Sequence, residues 1–308
     1  MDARAKPAHD GVNMLWAVFT IIAAAAQTAR NAMQRELTAT LGTVGATHVR
    51  FLFGFPFALL FLIAVLLFTG APLPRPDLLF WPWVFGGMAA QIAATALMLA
   101  AMNDRSFVVT IAYIKTEPVQ VALFGFVLLG DKITPLLALA IIVATAGVVV
   151  MSLKPGAAQA GGFGPTLLGL ISGGMFGLSA IGYRGAILRL EHANNFVPAA
   201  TFTLLAGLVL QSILLSGWLA WRDPAVLKAI FRAWRPSLFA GFMGALASQF
   251  WFLAFAIATA ASVRTLALVE VLFAQGISKF VFKQPTSRRE ALGIGLVVIG
   301  VVLLVWAY

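Results

Sequence analysis

Thr116-Glu117-Pro118-Val119 and Val269-Glu270-Val271-Leu272 each place a glutamate in the middle of a long apolar run. The two glutamates are 153 residues apart, about half of the 308-residue chain. Each apolar run continues to a short polar turn, at 131–134 or 284–287, and a second glycine-containing apolar segment follows. This pattern indicates an internal repeat in which each copy carries one buried carboxylate. An ionisable side chain at that depth is expensive, and it indicates a functional site by default.

The composition is typical of an integral membrane protein. Hydrophobic residues make up 61% of the chain, charged residues only 10%, and the mean hydropathy is +0.96. Soluble domains carry roughly 25% charged residues. Apolar runs of about 20 residues cross a bilayer as helices. The sequence predicts ten such helices, at 14–32, 49–68, 83–102, 107–129, 135–152, 164–184, 197–218, 238–257, 262–282 and 291–308.

The predicted helices divide into two halves, residues 1–154 and 155–308, with five helices in each. The segment 28–32 has a counterpart at 182–186, which favours a first repeat helix over the alternative, a cleavable signal peptide. Because five helices end on the opposite face from where they begin, two such halves in tandem are inverted. Inverted repeats are typical of secondary transporters, whose halves open a central site to alternate faces. Duplication for structure alone, as in a scaffold, is the other interpretation.

A family signature lies around the first glutamate. Pro118 is followed by an apolar run, the turn Gly130-Asp131-Lys132-Ile133-Thr134 and Gly147-Val148-Val149, and Arg50 begins the second predicted helix. These residues resemble the EamA-type branch of the drug/metabolite transporter superfamily. The resemblance covers both halves and implies ten transmembrane helices in two inverted repeats that move small metabolites. The sequence departs from the family pattern at Asp131, where glutamate is usual, and at 283–285, where glycine and an acid are common.

Basic residues near the ends of the predicted helices are unevenly distributed. Six lie on the face of the N-terminus and 13 on the opposite face. The positive-inside rule therefore predicts a protein of the cell (inner) membrane with both termini outside the cytoplasm, whereas the resemblance implies termini inside. The net charge of +10 is explained by topology and by contact with the lipid bilayer, and it gives no reason to expect nucleic acid as a partner.

The chemistry is expected to centre on Glu117. Thr110, Tyr113, Glu117 and Gln120 share one stripe of the predicted fourth helix, and Glu117 lies about 20 Å from the end of that helix, near mid-membrane. Pro118 removes a backbone hydrogen bond in mid-helix and predicts a kink. A backbone carbonyl without a hydrogen-bond partner is tolerated at this depth where it faces protein or a water-filled cavity. The acid and the kink together therefore indicate a functional site.

Glu270 occupies the equivalent place in the second half, without a proline. Lys115 lies nearly opposite Glu117 on its own helix, and Arg264 lies about 120° from Glu270, so neither base pairs within its helix. We expect pairing across the repeat, with Lys115 or Arg264 near the acid of the other half. The acids would then bind a proton or a substrate amine. The alternative is that each acid is only one half of a salt bridge that holds the bundle together.

Other side chains are candidates for the cavity wall. Arg30 and Arg50 add positive charge, and they favour a substrate with a carboxylate or phosphate, for example a zwitterion such as an amino acid. Gln249 beside Trp251 is an amide flanked by aromatic residues, which suits a small organic ligand. An interhelical hydrogen bond is the other interpretation of Gln249.

Two further patterns concern packing. Gly173 and Gly177 form a seam of small residues that predicts close packing and sliding of helices. The segment 227–235 has apolar residues at helical spacing with a basic face, which predicts a short interfacial helix, the alternative being a solvated loop.

Enzyme motifs are absent from the sequence. It has no cysteine, only three scattered histidines, and no metal, phosphate-loop or serine-hydrolase motif. No cofactor is expected. We therefore expect a secondary transporter that moves a small polar or amphipathic metabolite by alternating access, with proton coupling or exchange. A passive channel or facilitator is the alternative, and a membrane-embedded enzyme is a more remote one. Substrate, direction and oligomeric state stay open.

Overall fold

The computed structural model describes residues 8–101, 113–152, 163–190, 195–273, 275 and 287–307. Every regular element in this part of the chain is helical. In chain order the helices are α1 (Ala8–Leu52), α2 (Phe55–Thr69), α3 (Phe80–Ala101), α4 (Glu117–Leu129), α5 (Pro135–Ser152), α6 (Phe163–Arg189), α7 (Phe196–Arg222), α8 (Pro224–Arg232), α9 (Trp234–Ile257), α10 (Ala260–Leu266) and α11 (Arg288–Trp306), with a 3-10 turn at Ala267–Val269 between the last two.

Much of this helical structure is long and apolar enough to cross a membrane. Among the described residues, five helical segments meet that condition: Glu36–Thr69, Phe80–Ala100, Phe196–Arg222, Trp234–Ile257 and Arg288–Trp306. Two shorter apolar helices are Glu117–Leu129 and Pro135–Met151. Large apolar side chains cover the outside, including Phe68, which is 92% exposed. Such an extensive apolar surface fits contact with lipid.

The first helix consists of two limbs that fold back on each other at Gly42. This residue has φ 67° and ψ 175°, a backbone conformation that essentially only glycine adopts without strain. The side-chain amide of Gln34 donates to the carbonyl oxygen of Ala46 at 3.0 Å, although 12 residues of straight helix would separate the two by about 18 Å. The helices predicted at 14–32 and 49–68 leave 33–48 as a connecting loop, and this prediction is wrong. One glycine is enough to reverse the chain, and the residues on both sides of it stay helical.

The other predicted boundaries can be compared where the structure describes them. The helix predicted at 135–152 has those bounds, and α6 and α7 extend further than predicted, to Arg189 and Arg222. The short helix predicted near 227–235 is α8, whose first turn is capped by Asp223 through the backbone N–H of Val226 at 3.2 Å, and its place at the membrane interface stays a prediction. The predicted boundaries at 102, 107, 282 and 308 lie outside the described residues.

Contacts between the first and second parts of the chain dominate the packing. The most extensive are those of α1 with α9, α3 with α6 and α5 with α11, and α2 also packs on α7 and α4 on α10. Each of these pairs joins a helix from residues 1–154 to one from 155–308. The central helices are therefore positioned by partners from the other half.

Glycines allow the closest of these crossings. A Cβ atom added at Gly182 of α6 would lie 2.6 Å from the Cα atom of Gly87 in α3. A Cβ atom added at Gly293 of α11 would lie 2.6 Å from the carbonyl oxygen of Gly147 in α5. Real Cβ atoms do not approach backbone so closely, so these helices touch through their main chains.

The predicted glycine seam of α6 is also a packing surface. A Cβ atom at Gly173 would lie 3.0 Å from the carbonyl oxygen of Ile114, and one at Gly177 would lie 3.0 Å from Val121. The seam thus lets α6 approach the segment that carries Glu117. Close packing at Gly173 and Gly177 is confirmed, whereas sliding along the seam stays a prediction.

Candidate functional site

Four charged side chains meet in the interior of the helix bundle. The Nε atom of Arg264 lies 3.0 Å from Oε1 of Glu117, and the ammonium of Lys115 pairs with the carboxylate of Glu270. Each pair joins one half of the chain to the other, which is the pairing that the sequence predicts. All four side chains line one cavity together with Gln27.

This charged cavity is nearly closed to water. The side chains of Arg264, Glu270 and Glu117 are 10%, 12% and 13% exposed, and that of Lys115 is 23% exposed. The free volume is about 20 Å³, room for roughly one water molecule. Charges attract more strongly in such surroundings than at a wetted surface, and removing one partner strands the other. A metabolite therefore fits here only after the walls have moved.

Glu117 lies at a helix break, not in mid-helix. A turn at 115–116 interrupts the chain, and α4 begins at Glu117. Pro118 stands in the first turn of α4, where a backbone N–H would have no partner in the helix anyway. The predicted mid-helix kink is therefore wrong, because the helix restarts at this point. Thr110 of the predicted stripe lies outside the described residues.

Glu270 lies at a second interruption. It directly follows the 3-10 turn Ala267–Val269, which ends the regular hydrogen bonding of α10. The helix predicted over 262–282 is thus divided, and it begins earlier, at Ala260. Interrupted helices place helix ends beside the acids, and the N-terminus of α4 favours a negative charge at Glu117. Transporters use such broken helices to build binding sites.

A second cavity adjoins the charged one and shares Gln27 and Arg264 with it. We call it the aromatic cavity, because its walls include Phe176, Tyr183, Trp251, Phe252 and Phe255. The Arg264 guanidinium stands over the Trp251 ring at 4.5 Å, a cation–π contact. The indole N–H of Trp251 donates to Oε1 of Gln27 at 3.1 Å. Arg264 thus connects the two cavities.

Arg30 and Arg50 meet beside Gly244 of α9. A Cβ atom at Gly244 would lie 3.2 Å from Cγ of Arg50 and 3.4 Å from Cδ of Arg30, and the two arginines are only 3% and 1% exposed. Arg50 lines the aromatic cavity and donates to the Thr95 hydroxyl at 3.2 Å. Arg30 donates to the side-chain oxygen of Asn31 at 2.7 Å and 3.2 Å. Within the described parts of the chain, Nη1 of Arg30 and Nε of Arg50 have no hydrogen-bond partner.

Three other predicted site residues line neither cavity. The Gln120 amide donates to Thr116 and, at 3.4 Å, to the carbonyl oxygen of Leu170 on α6. Gln249 donates to the Thr201 hydroxyl at 2.8 Å. This bond joins α9 to α7, as in the second of the two interpretations that the sequence allows for Gln249. The carbonyl oxygen of Tyr113 accepts a hydrogen bond from the Thr116 hydroxyl at 2.7 Å, just before the break.

Sequence reasoning missed two features of the site. Gln27 lies three positions before Arg30 on α1, and a polar residue one turn from an arginine in an apolar run is a signal that could have found it. The second feature concerns Arg184, which the sequence offers as a further basic candidate for the cavity without indicating its partners. Its structural partners are three oxygens from two other segments.

We call this group the Arg184 clamp. The guanidinium donates to the carbonyl oxygens of Phe255 and Ala258, at the C-terminal end of α9, and lies 3.5 Å from Oδ1 of Asp131. A cation at a helix C-terminus satisfies carbonyls that have no partner within the helix. The clamp ties the turn after α4 to the corner between α9 and α10, and so joins the two halves.

In the part of the chain that the structure describes, no group of three or more His, Asp or Glu side chains is placed to hold a metal ion.

Comparisons with known proteins give a family match over part of the chain and a fold match over most of it. Residues 14–153 match the EamA-like transporter family. This similarity covers a little under half of the 308-residue chain. The EamA match and the apolar helices show a multi-pass membrane protein of transporter type. A solved structure described only as "Crystal structure of protein" has a similar fold, with a TM-score of 0.63 and 16% identity, over 97% of this chain and 99% of its own. No curated protein sequence matches.

Proposed function

We propose that this EamA-like protein is a secondary transporter that moves a small polar or amphipathic metabolite across the cell membrane by alternating access. The observation that carries the proposal is the crossed pairing of Lys115 with Glu270 and of Arg264 with Glu117. Each half supplies one acid and one base to a nearly closed site. Any change of charge in that site therefore changes the attraction between the halves.

The proposed architecture is ten membrane spans in two inverted repeats, 1–154 and 155–308. In this architecture, the limb of α1 before Gly42 is the first span. The limb after Gly42 and α2 together form the second span, and α8 lies at the membrane interface. The contacts of α2 with α7, α4 with α10 and α5 with α11 then join the second, fourth and fifth spans to their counterparts five spans later. Equivalent elements that lie beside a twofold axis contact each other in this way, so these pairs support the proposal.

In the proposed mechanism, the two carboxylates change their charge during the cycle. A proton or a substrate amine that binds Glu270 cancels the charge that holds Lys115, and the same holds for Glu117 and Arg264. The freed base then needs another partner, which favours a rearrangement of the helix ends around it. Because each pair crosses between the halves, this local event loosens the contact that keeps the site closed.

The Arg184 clamp would close the site toward the face of the chain termini. In the ten-span topology the turn after α4, the corner after α9 and the end of α11 share that face.

Arg30 and Arg50 are buried, and Arg184 belongs to the clamp. Without these three, the basic residues near helix ends number 5 on the terminal face and 11 on the other. The positive-inside rule still favours termini outside the cytoplasm.

Reconstitution tests this function. The purified protein is screened for thermal stabilisation by a panel of metabolites, and a stabilising compound is then followed into proteoliposomes with and without a pH gradient. Uphill uptake driven by the gradient, or exchange that needs substrate on both sides, is the expected result. Flux that responds to neither condition would instead indicate a channel.

A further inference from the structure

Among the described residues, the interior holds more positive than negative charge. Five bases and three carboxylates are buried or nearly buried there, and each carboxylate is paired: Glu270 with Lys115, Glu117 with Arg264 and Asp131 with Arg184. Among the described residues, no acid lies within salt-bridge distance of Arg30 or Arg50. A guanidinium does not lose its proton in a protein. In the described structure, two full positive charges therefore stay in the interior without a counter-charge.

These two arginines also keep hydrogen-bonding capacity unused. Nη1 of Arg30 and Nε of Arg50 are buried donors without a partner in the described structure. An unpaired buried charge is among the most unfavourable arrangements in a folded protein. Proteins retain such local violations mainly where a ligand supplies the missing group. Arg50 lines the aromatic cavity, so its missing partner can arrive there.

We propose that Arg50, supported by Arg30, binds the carboxylate of the transported substrate, and that the aromatic cavity holds the apolar body of the same molecule. The substrate class is thus a small amphipathic organic carboxylate. This inference rests on the transporter function proposed above and specifies its substrate. Planar guanidinium groups suit a carboxylate, and the rings of Tyr183, Trp251 and Phe255 offer contacts that an inorganic anion cannot use.

The position of Arg264 links this substrate to the acids. Arg264 lines both cavities and is the partner of Glu117. A carboxylate in the aromatic cavity therefore competes with Glu117 for the same guanidinium. Once Arg264 turns to the substrate, Glu117 loses its counter-charge and accepts a proton more readily. The free volume of the aromatic cavity is about 10 Å³, so the walls also separate when the substrate binds.

Direct binding to the purified protein tests the substrate class without a transport assay. The probes are 3-phenylpropanoate, its uncharged amide 3-phenylpropanamide, and inorganic phosphate. We expect thermal stabilisation and saturable binding with the carboxylate, and no response to the other two. In Arg50→Gln and Arg30→Gln the affinity for 3-phenylpropanoate should fall about tenfold or more, as expected for the loss of a charged hydrogen bond. An equal response to the amide or to phosphate, or no response to any probe, overturns the proposal.

A matched pair of variants separates a binding role from a structural one. Arg50 and Arg264 line the same cavity, but only Arg264 has a carboxylate partner. Without added probe, Arg50→Gln should keep or raise the melting temperature, because it removes an uncompensated charge. Arg264→Gln should lower it, because Glu117 is left alone. Equal destabilisation by both variants would show that Arg50 is a structural cation.

If the carboxylate binds as expected but is not moved in proteoliposomes, the transporter function fails and the binding site stands.

Discussion

Glu117 and Arg264 are 147 positions apart in the chain, yet their Oε1 and Nε atoms lie 3.0 Å apart. In the second pair, Lys115 with Glu270, the base comes from the first half and the acid from the second. Each acid thus sits at a helix break with a base from the other half. The predictions below separate a role in coupling from a role in holding the bundle together.

Removing the charge of each acid tests the coupling role. Glu117→Gln and Glu270→Gln keep the size of the side chain but cannot exchange a proton. If the acids carry protons, the folded fraction of each variant should lose pH-driven uphill transport in proteoliposomes, while exchange between equal pools continues. We expect the larger effect at Glu270, which has neither an adjacent proline nor a lysine two positions away. Full pH-driven transport by both variants would exclude coupling through these groups.

The purely structural alternative predicts a different result for the same variants. An amide would then strand Lys115 or Arg264, and the free energy of unfolding should fall by about 3–5 kcal/mol. The control is the double variant Lys115→Gln/Glu270→Gln, which removes both charges of one pair. It should be more stable than Glu270→Gln alone, because no buried charge is left without a partner.

Loss of the Arg184 clamp should open the face that it closes. In Arg184→Gln the carbonyl oxygens of Phe255 and Ala258 lose their charged donor. A cysteine introduced at Ser179, which lines the aromatic cavity, should then react faster with a water-soluble thiol reagent than the same cysteine in the parent. The chain has no cysteine of its own. The matched control is Arg189→Gln, which removes an exposed pair with Asp77. Equal reactivity in all three backgrounds would contradict the clamp.

Two glycines of α11 offer a matched test of close packing. A Cβ atom at Gly293 would lie 2.6 Å from the carbonyl oxygen of Gly147, whereas one at Gly295 meets nothing within 4 Å. Gly293→Ala should lower the free energy of unfolding by about 1–3 kcal/mol, because α5 and α11 must move apart. Gly295→Ala should raise it by about 0.5–1 kcal/mol, because alanine favours helix. Thermal unfolding in detergent measures both, and a similar change for the two variants would refute the direct backbone contact.

The exposed pair of Asp77 and Arg189 should give stability a weak dependence on acidity. The hydrogen bonds from Arg189, followed by the Phe80 backbone N–H, hold the pKa of Asp77 below its ordinary value of 3.8. Since the pKa is lower in the folded state, the stabilisation is present above that ordinary value and is lost as pH falls through the folded-state value. Screening by solvent keeps it small.

The measurement for this pair compares the parent with Asp77→Asn, which keeps an acceptor for the Phe80 N–H. The difference in melting temperature should be constant above about pH 5 and should shrink towards about pH 3. A difference that stays the same in acid would mean that the ion pair adds nothing to stability.

Sidedness can be measured directly because the parent chain has no cysteine. A cysteine added after Tyr308 should react with a membrane-impermeant thiol reagent in intact cells, since the positive-inside count places the termini outside. A cysteine in place of the exposed Arg289 should react only after the cells are opened. The reverse labelling pattern would place both termini in the cytoplasm, as the family resemblance implies.

The sequence predicted more of the fold than of the site. Apolar runs identify helices well because burial in lipid and helix formation favour the same residues, and α5 has the predicted bounds. The reversal at Gly42 was missed because polar residues around it resemble a loop. The repeat led to the crossed pairing of the acids, since a charge without a partner on its own helix needs one elsewhere. The break before Pro118 and the partners of Arg184 depend on which helices meet in space, and no local pattern encodes that.

The two unpaired arginines beside Gly244 have a further consequence, for the response to membrane voltage. Among the residues that the structure describes, Arg30 and Arg50 give the unloaded interior two more positive than negative charges, and a bound monoanion reduces that excess to one. Moving one elementary charge through 100 mV is worth about 2.3 kcal/mol. Voltage therefore acts more strongly on the return of the unloaded carrier than on the loaded step. The charges of the protein return to their starting positions in each full cycle, so we expect voltage to change the rate of turnover, whereas the net charge moved equals that of the substrate and its coupled protons.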